Sequence, residues 1–259
     1  MDAPGLLHGF RLITLDTVGS TNDEARRLAG EGAGDGTLIR AHRQTAGRGR
    51  LGRTWVSEPG NLYVSMILKP GCRLGQAGQV GFVAANAVAD AITEVLPGTV
   101  TVGCKWPNDV LAAGRKVSGM LLESEMSGAG NLDWLIAGIG INVDSHPEDA
   151  NFPATSLKAC GAGGGISADT VLEAFCRHFR AGYAEWSRDG FEPVRRAWLA
   201  RAVGRGGDIR ARTATATLEG VFEDVDACGA LVVREADGRR TLVSAGDVYF
   251  PEPSPSSGV

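Results

Sequence analysis

The sequence predicts an α+β fold: a β-sheet domain flanked by helices and followed by a small β-barrel. Three observations carry this. Strand-like runs recur between residues 11 and 143 with few helical stretches among them. Residues 76–96 are apolar, rich in Ala and Val and spaced with a helical period, as a buried core helix requires. After Gly204 only short β runs remain, broken by Gly and Asp-Gly turns. With 259 residues, 43% of them hydrophobic, the chain has apolar material for one core and a small second domain.

Residues 11–15 read as the first strand. Gly19-Ser20-Thr21-Asn22-Asp23-Glu24 then opens a helix that Ser20 or Thr21 caps, with acidic residues in the first turn and an end near Leu28. Strands follow over 37–42 and 61–68, which leaves Gly47-Arg48-Gly49-Arg50-Leu51-Gly52-Arg53 on a long glycine-rich connection of the kind that is often functional. The core helix stops at Pro97-Gly98. Further strands cover 99–105, 110–112, 116–125 and 132–143, with Gly114 in a hairpin turn. Residues 144–167 shift to Gly, Pro, Asp and Ala, as a surface loop does, and 168–201 return to helical periodicity as two helices around Asp189-Gly190. Short β runs over 208–212, 215–225, 230–235, 239–244 and 248–250 suit an SH3-sized barrel, and the Pro- and Ser-rich end reads as disordered. The expected organisation is a catalytic domain over 1–203, an SH3-like domain over 204–251 and a tail over 252–259.

A net charge of −4 argues against a protein that coats nucleic acid, which needs a dominant basic surface. The basic charge is instead concentrated. From Gly36 to Ser57 there is no Asp or Glu, while Arg40, Arg43, Arg48, Arg50 and Arg53 lie in that segment. Either a local anion site or a solvated basic loop explains it. Only Lys69, Lys105, Lys116 and Lys158 are lysine among 26 basic residues, so Lys105 and Lys116 fall close together in a chain that otherwise writes arginine. The five cysteines (Cys72, Cys104, Cys160, Cys176, Cys228) contain no CxxC pair and read as buried small hydrophobes. Neither a secretory leader nor an apolar run of membrane-spanning length is present, so the cytoplasm is the expected compartment.

The arginine-rich stretch is not a Walker loop, since no GxxxxGK[ST] occurs, and it does not join a strand directly to a helix as a dinucleotide fingerprint does. Its closely spaced glycines let the backbone approach a ligand, and its arginines offer paired donors to phosphate or carboxylate. At Lys105-Trp106-Pro107-Asn108-Asp109 a strand should end, releasing Lys, Asn and Asp together at its edge.

Taken together, six segments resemble the biotin protein ligase family in order: Ser20-Thr21-Asn22; Gln44-Thr-Ala-Gly-Arg-Gly-Arg50 with Gly52-Arg53 and Trp55; Asn61-Leu-Tyr-Val-Ser; Lys105-Trp-Pro-Asn-Asp-Val110; Arg115-Lys116-Val-Ser-Gly-Met-Leu-Leu-Glu123; and Gly138-Ile-Gly-Ile-Asn-Val143. The resemblance implies a mixed sheet of the class II synthetase-like, biotin–lipoate ligase fold. It also implies an ATP-dependent enzyme that activates biotin as biotinyl-5′-AMP and passes it to one lysine of a biotin carboxyl carrier protein such as that of acetyl-CoA carboxylase. By the same resemblance Arg48, Arg50 and Lys116 are the electrostatic catalysts. Ser20, Thr21, Asn22, Gln44, Gly47 and Gly119 hold biotin, and Arg50, Arg53, Trp55, Lys105, Asn108, Lys116 and Asn142 hold the nucleotide. Magnesium is the metal expected with ATP, with Asp109 as its candidate ligand. The loop should be mobile when empty and ordered by the adenylate. Some relatives pair as homodimers through sheet edges, and others carry an N-terminal repressor domain; the first motif begins at Gly19, so the expected form lacks that domain. Two other readings compete. A lipoate ligase shares the adenylate chemistry, and a nucleic-acid-binding module would use the arginines on phosphates, although no aromatics interleave with them.

Overall fold

A computed structural model describes residues 5–126, 132–148 and 152–251; the tail expected over 252–259 lies outside the described residues. An eight-stranded sheet is built from β1 (Gly5–Leu7), β2 (Phe10–Val18), β3 (Thr37–Gln44), β4 (Leu62–Leu68), β5 (Val102–Lys105), β6 (Asp109–Ala112), β7 (Arg115–Met126) and β8 (Leu132–Ile141). Its order is β1-β2-β3-β4-β8-β7-β6-β5. It is mixed because β2 and β3 run parallel, joined by a crossover helix α1 (Thr21–Gly30), while the other pairings are antiparallel.

All seven residues of β4 are buried, which is what a central strand covered on both faces demands. One face packs against α2 (Leu74–Val95) and α3 (Ala168–Asp189), and α4 (Phe191–Ala200) packs on those two helices. On the other, Ala25 and Ala29 of α1 pack with Ile39, Ile67, Trp134 and Ile136. Helix α1 covers β3, β4 and β8 on that second face, and the site forms beside its N-terminus over β7 and β8. The observed ends of α1 and β3 lie two residues beyond the expected ones. Ser20 occupies the N-cap position of α1, but its side chain makes no capping hydrogen bond. Gln44 Oε1 accepts the Thr21 N–H at 2.8 Å, so one first-turn donor is satisfied from β3 instead.

The C-terminal strands β9 (Asp208–Arg212), β10 (Thr217–Val225), β11 (Leu231–Arg234), β12 (Arg240–Val243) and β13 (Asp247–Tyr249) form an antiparallel sheet in the order β12-β11-β10-β9-β13. Among the described residues β12 does not pair with β13, so this is an open five-stranded sheet and not a closed barrel. The sheet docks on the helices. Phe222 of β10 packs on Trp198 of α4, which in turn meets Phe82 of α2 edge-on at 5.1 Å between centroids. Gln79 donates to Ala227 O and Trp106 Nε1 to Gly229 O, at 3.0 and 3.1 Å. After α4 the chain adds to the exposed edge of β5, where Cys104 N donates to Arg201 O and Val203 N to Cys104 O. Cys104 and Cys176 are buried as expected, but Cys228 is exposed, since it sits in a turn of the small sheet. No helix among the described residues is long and apolar enough to cross a membrane.

Because Trp198 joins both units, Trp198→Ala should cost about 3–5 kcal/mol. Urea denaturation should show one cooperative transition at a lower midpoint; a transition confined to the C-terminal sheet would contradict this packing.

Candidate active site

The site begins where α1 starts. Ser20, Thr21 and Asn22 are buried beside Ser65 of β4, and a chain of hydrogen bonds fixes Thr21 and Asn22. The Thr21 hydroxyl donates to Gln44 Oε1 (3.0 Å) and Gln44 Nε2 to Ser57 Oγ (2.9 Å). Ser65 donates to Asn22 Oδ1 (2.6 Å), and Asn22 Nδ2 donates to Glu123 Oε2 (2.7 Å). Neighbouring backbones must come close here. A Cβ at Gly138 would stand 2.1 Å from Asn22 Oδ1, and one at Gly47 would stand 2.4 Å from Trp55 O.

Gly119 of β7 and Gly140 of β8 are register partners and together form a bare strip of sheet. The Trp55 indole lies on it, within 2.5 Å of where a Gly140 Cβ would sit, and Lys116 Nζ lies 5.4 Å from the ring centroid. The indole N–H is buried without a partner among the described residues.

Arginines from the loop are each held by acids remote in sequence. Arg48 makes a two-pronged pair with Glu123 at 2.9 and 3.1 Å and reaches Asp23 at 2.6 Å. Arg50 donates to Asn108 Oδ1 (3.1 Å) and twice to Gly246 O (3.2 Å), and its guanidinium lies 3.7 Å from Asp247. Arg53 pairs directly with Asp247. Burial raises the Asp247 carboxyl, but the Arg53 hydrogen bond and the charges of Arg53, Arg50 and Lys105 outweigh it and hold the group below the usual carboxylate range. Glu123 behaves alike: burial raises it, and hydrogen bonds from Asn22 and Arg48 bring it lower than usual. Both acids are therefore held in the charged form at neutral pH.

The strand-end motif supplies the rest. Lys116 Nζ lies 2.6 Å from Asp109 Oδ1 and Lys105 Nζ 4.0 Å from Asp109 Oδ2. Lys105 is buried with its ammonium 4.4 Å from the Phe152 ring centroid. Burial pushes its pKa down, and Asp109 partly restores it. Asn108 donates to Met120 O at 2.6 Å, tying the strand end to β7. Asn142 donates to Thr155 O, so its amide braces the loop that follows β8.

These groups line one cavity of about 750 Å³. It holds every site residue expected from the sequence except Gly47, which lies directly behind Trp55. Sequence reasoning missed Glu123, Gly138, Gly140, Arg212, Asp247 and Tyr249. Alternate glycines at 138 and 140 in a strand were a readable sign of close approach; Asp247, on a strand almost 200 positions from the loop, gave none. Asp109 is committed to two lysines, and among the described residues no group of three His, Cys, Asp or Glu side chains comes together to hold a metal. The residues present do not make a protein cage for magnesium.

Residues 17–200 match the sequence model of the biotin/lipoate A/B protein ligase family, and residues 206–250 that of the biotin protein ligase C-terminal domain. The chain belongs to the biotin/lipoate A/B protein ligase family. Within it, the chain is 39% identical to a biotin–[acetyl-CoA-carboxylase] ligase of Paracoccus denitrificans, over 89% of this chain and 97% of that relative. It is 36% identical to the bifunctional ligase/repressor BirA of Bacillus subtilis, over 92% of this chain and 73% of that protein. In structure it is similar to the Aquifex aeolicus biotin protein ligase in complex with biotin and ATP, with a TM-score of 0.76, 29% identity and coverage of 92% and 97% of the two chains.

Gly140→Ala should force Trp55 off the β7–β8 strip, at a cost of about 1–3 kcal/mol for overpacking. The emission of Trp55, isolated as the difference between G140A and G140A/W55F, should move to the red of the corresponding difference in the unsubstituted protein. An unmoved emission would place the indole elsewhere.

Proposed function

We propose that the chain is an ATP-dependent biotin ligase. It joins the biotin carboxylate to the α-phosphate of ATP with release of pyrophosphate, and then passes the biotinyl group to a lysine of a biotin carboxyl carrier domain. The observation that carries this is the polarity of one cavity. A hydroxyl and amide cluster (buried Ser20, Thr21 and Asn22 with half-buried Gln44) stands at one end and a set of cations at the other. That arrangement suits an uncharged ring at the first end and a phosphate ester at the second. The named relatives and the Aquifex aeolicus complex support the same reading.

The chemical difficulty is that one anion must attack another. Lys116 and Arg50 are positioned to meet the charge that grows at the α-phosphate, and Asp109 holds the Lys116 ammonium in place beforehand. For Arg50 to reach a phosphate it must leave Gly246 O and Asn108, so the ligand competes with the protein's own acceptors. Trp55 must likewise leave the glycine strip to make room, and it then covers the ligand and excludes water from the mixed anhydride. Magnesium would be carried by the ATP phosphates, since the described residues offer no protein cage for it. In the second step the lysine amine attacks the biotinyl carbonyl and AMP departs. No histidine lines the cavity among the described residues, and both of its carboxylates are ion-paired. Positioning and a good leaving group therefore supply the rate. We propose further that residues 1–203 and 204–251 act as one catalytic unit, since Asp247 and Gly246 hold the arginines of the loop.

Purified protein given labelled biotin, ATP and a carrier domain should label one lysine of the carrier. Lys116→Ala should slow adenylate formation about 10²–10³-fold, and free lipoate should not compete. Folded protein that leaves the carrier unlabelled would refute the ligase, and competition by lipoate would transfer it to the sister chemistry.

A further inference from the structure

Arg212 ends β9 and Asp247 begins β13, and the two are directly opposed in register. Their side chains therefore stand on the same face of the C-terminal sheet, where an Arg–Asp pair would ordinarily close on itself. Here Asp247 is taken by Arg53 and approached by Arg50. Arg212 is left without an ion-pair or hydrogen-bond partner among the described residues. Its guanidinium instead lies 5.3 Å from the centroid of the Tyr249 ring, and both side chains line the cavity.

The charge of the cavity makes this surplus meaningful. Six cations line it, namely Arg48, Arg50, Arg53, Lys105, Lys116 and Arg212, against the carboxylates of Asp109 and Asp247. Five of the six have a carboxylate within 4.0 Å; Arg212 is the exception. It stands beside Asp247, the acid that Arg53 and Arg50 share, in the same cavity as Lys116. A ligand whose α-phosphate meets Lys116 and Arg50 would have its remaining phosphates in that cavity, where Arg212 is the cation without a carboxylate.

We propose that Arg212, held against Tyr249, binds the β- and γ-phosphates of ATP and the pyrophosphate that leaves. This rests on the ligase reading and adds a contribution of the C-terminal sheet to one half-reaction only. In that step a biotin carboxylate oxygen bonds to the α-phosphorus. The bond from that phosphorus to the bridging oxygen breaks, and its electron pair departs on pyrophosphate. Arg212 meets the charge so gained with two parallel N–H donors and transfers no proton. Pyrophosphate has gone before the carrier lysine attacks, so the transfer step does not use Arg212.

The test separates the half-reactions in the intact protein. Arg212→Ala should raise the KM for ATP and weaken inhibition by inorganic pyrophosphate about tenfold each, the scale of one charge-assisted contact. Transfer from preformed biotinyl-5′-AMP to the carrier should keep its rate. Arg212→Lys should recover part of the loss, because an ammonium lacks the planar fork. Arg210→Ala removes the same charge two positions along β9 and outside the cavity lining, where Arg210 pairs with Glu219, and should change none of these. If Arg212→Ala leaves KM and pyrophosphate inhibition unmoved, Arg212 is a solvated surface residue and the proposal fails. Equal loss in both half-reactions would make its role structural and equally overturn the proposal. Unsubstituted protein that forms no adenylate would refute the ligase reading itself, a failure visible before any substitution is made.

Discussion

The site depends on ion pairs between one glycine-rich loop and acids brought to it from three distant parts of the chain. Arginines at 48, 50 and 53 repel one another, and the loop that carries them has no acid of its own. Asp23 at the start of α1, Glu123 on β7 and Asp247 on β13 supply the missing charge. Each is fixed by an element with an independent reason to be where it is, so the loop inherits its shape from the sheets around it. Exposed ion pairs contribute little to stability, and these do not have to. Their role is to keep cations assembled around an empty cavity at a modest cost that a phosphate can repay.

That exchange explains why acids and arginines coexist in a site for an anion. Fully unpaired guanidinium groups would drive the loop outward, whereas strongly buried pairs would shut a ligand out. Intermediate burial of Arg50 and a shared Asp247 sit between these limits. The glycine strip of β7 and β8 serves the same end from below. It gives Trp55 a place to lie when no ligand is present, and a side chain at 119 or 140 would remove that place. The C-terminal sheet is thus part of the site through Gly246, Asp247, Tyr249 and Arg212.

Most of the architecture was readable because periodicity and punctuation agree with it: the apolar run near 76–96 is α2, Gly190 separates α3 from α4, and the strands fall in the expected order. Residues within short motifs were equally readable, since Lys105, Asn108, Asp109 and Lys116 sit on adjacent strands of one hairpin and its approach. What escaped was the pairing between motifs. Arg48 meets Glu123 across 75 positions and Arg50 meets Gly246 across 196, distances over which no local pattern speaks. Ser20 sits at the N-cap without making the capping bond, and the Thr21 amide is met by Gln44 from another strand. The five short runs of the small domain were readable, whereas the missing pairing between its two edge strands was not, since no local pattern reports which edges meet.

The central claim is that a ligand phosphate takes Arg50 away from the protein's own acceptors. A crystal structure of the chain with biotinyl-5′-AMP tests it most directly. The expected result is an Arg50 guanidinium on the phosphate beside Lys116, withdrawn from Gly246 O and Asn108, with Asp247 still holding Arg53. An Arg50 that remains on Gly246 O and Asn108 while the phosphate is bound by other groups would contradict it.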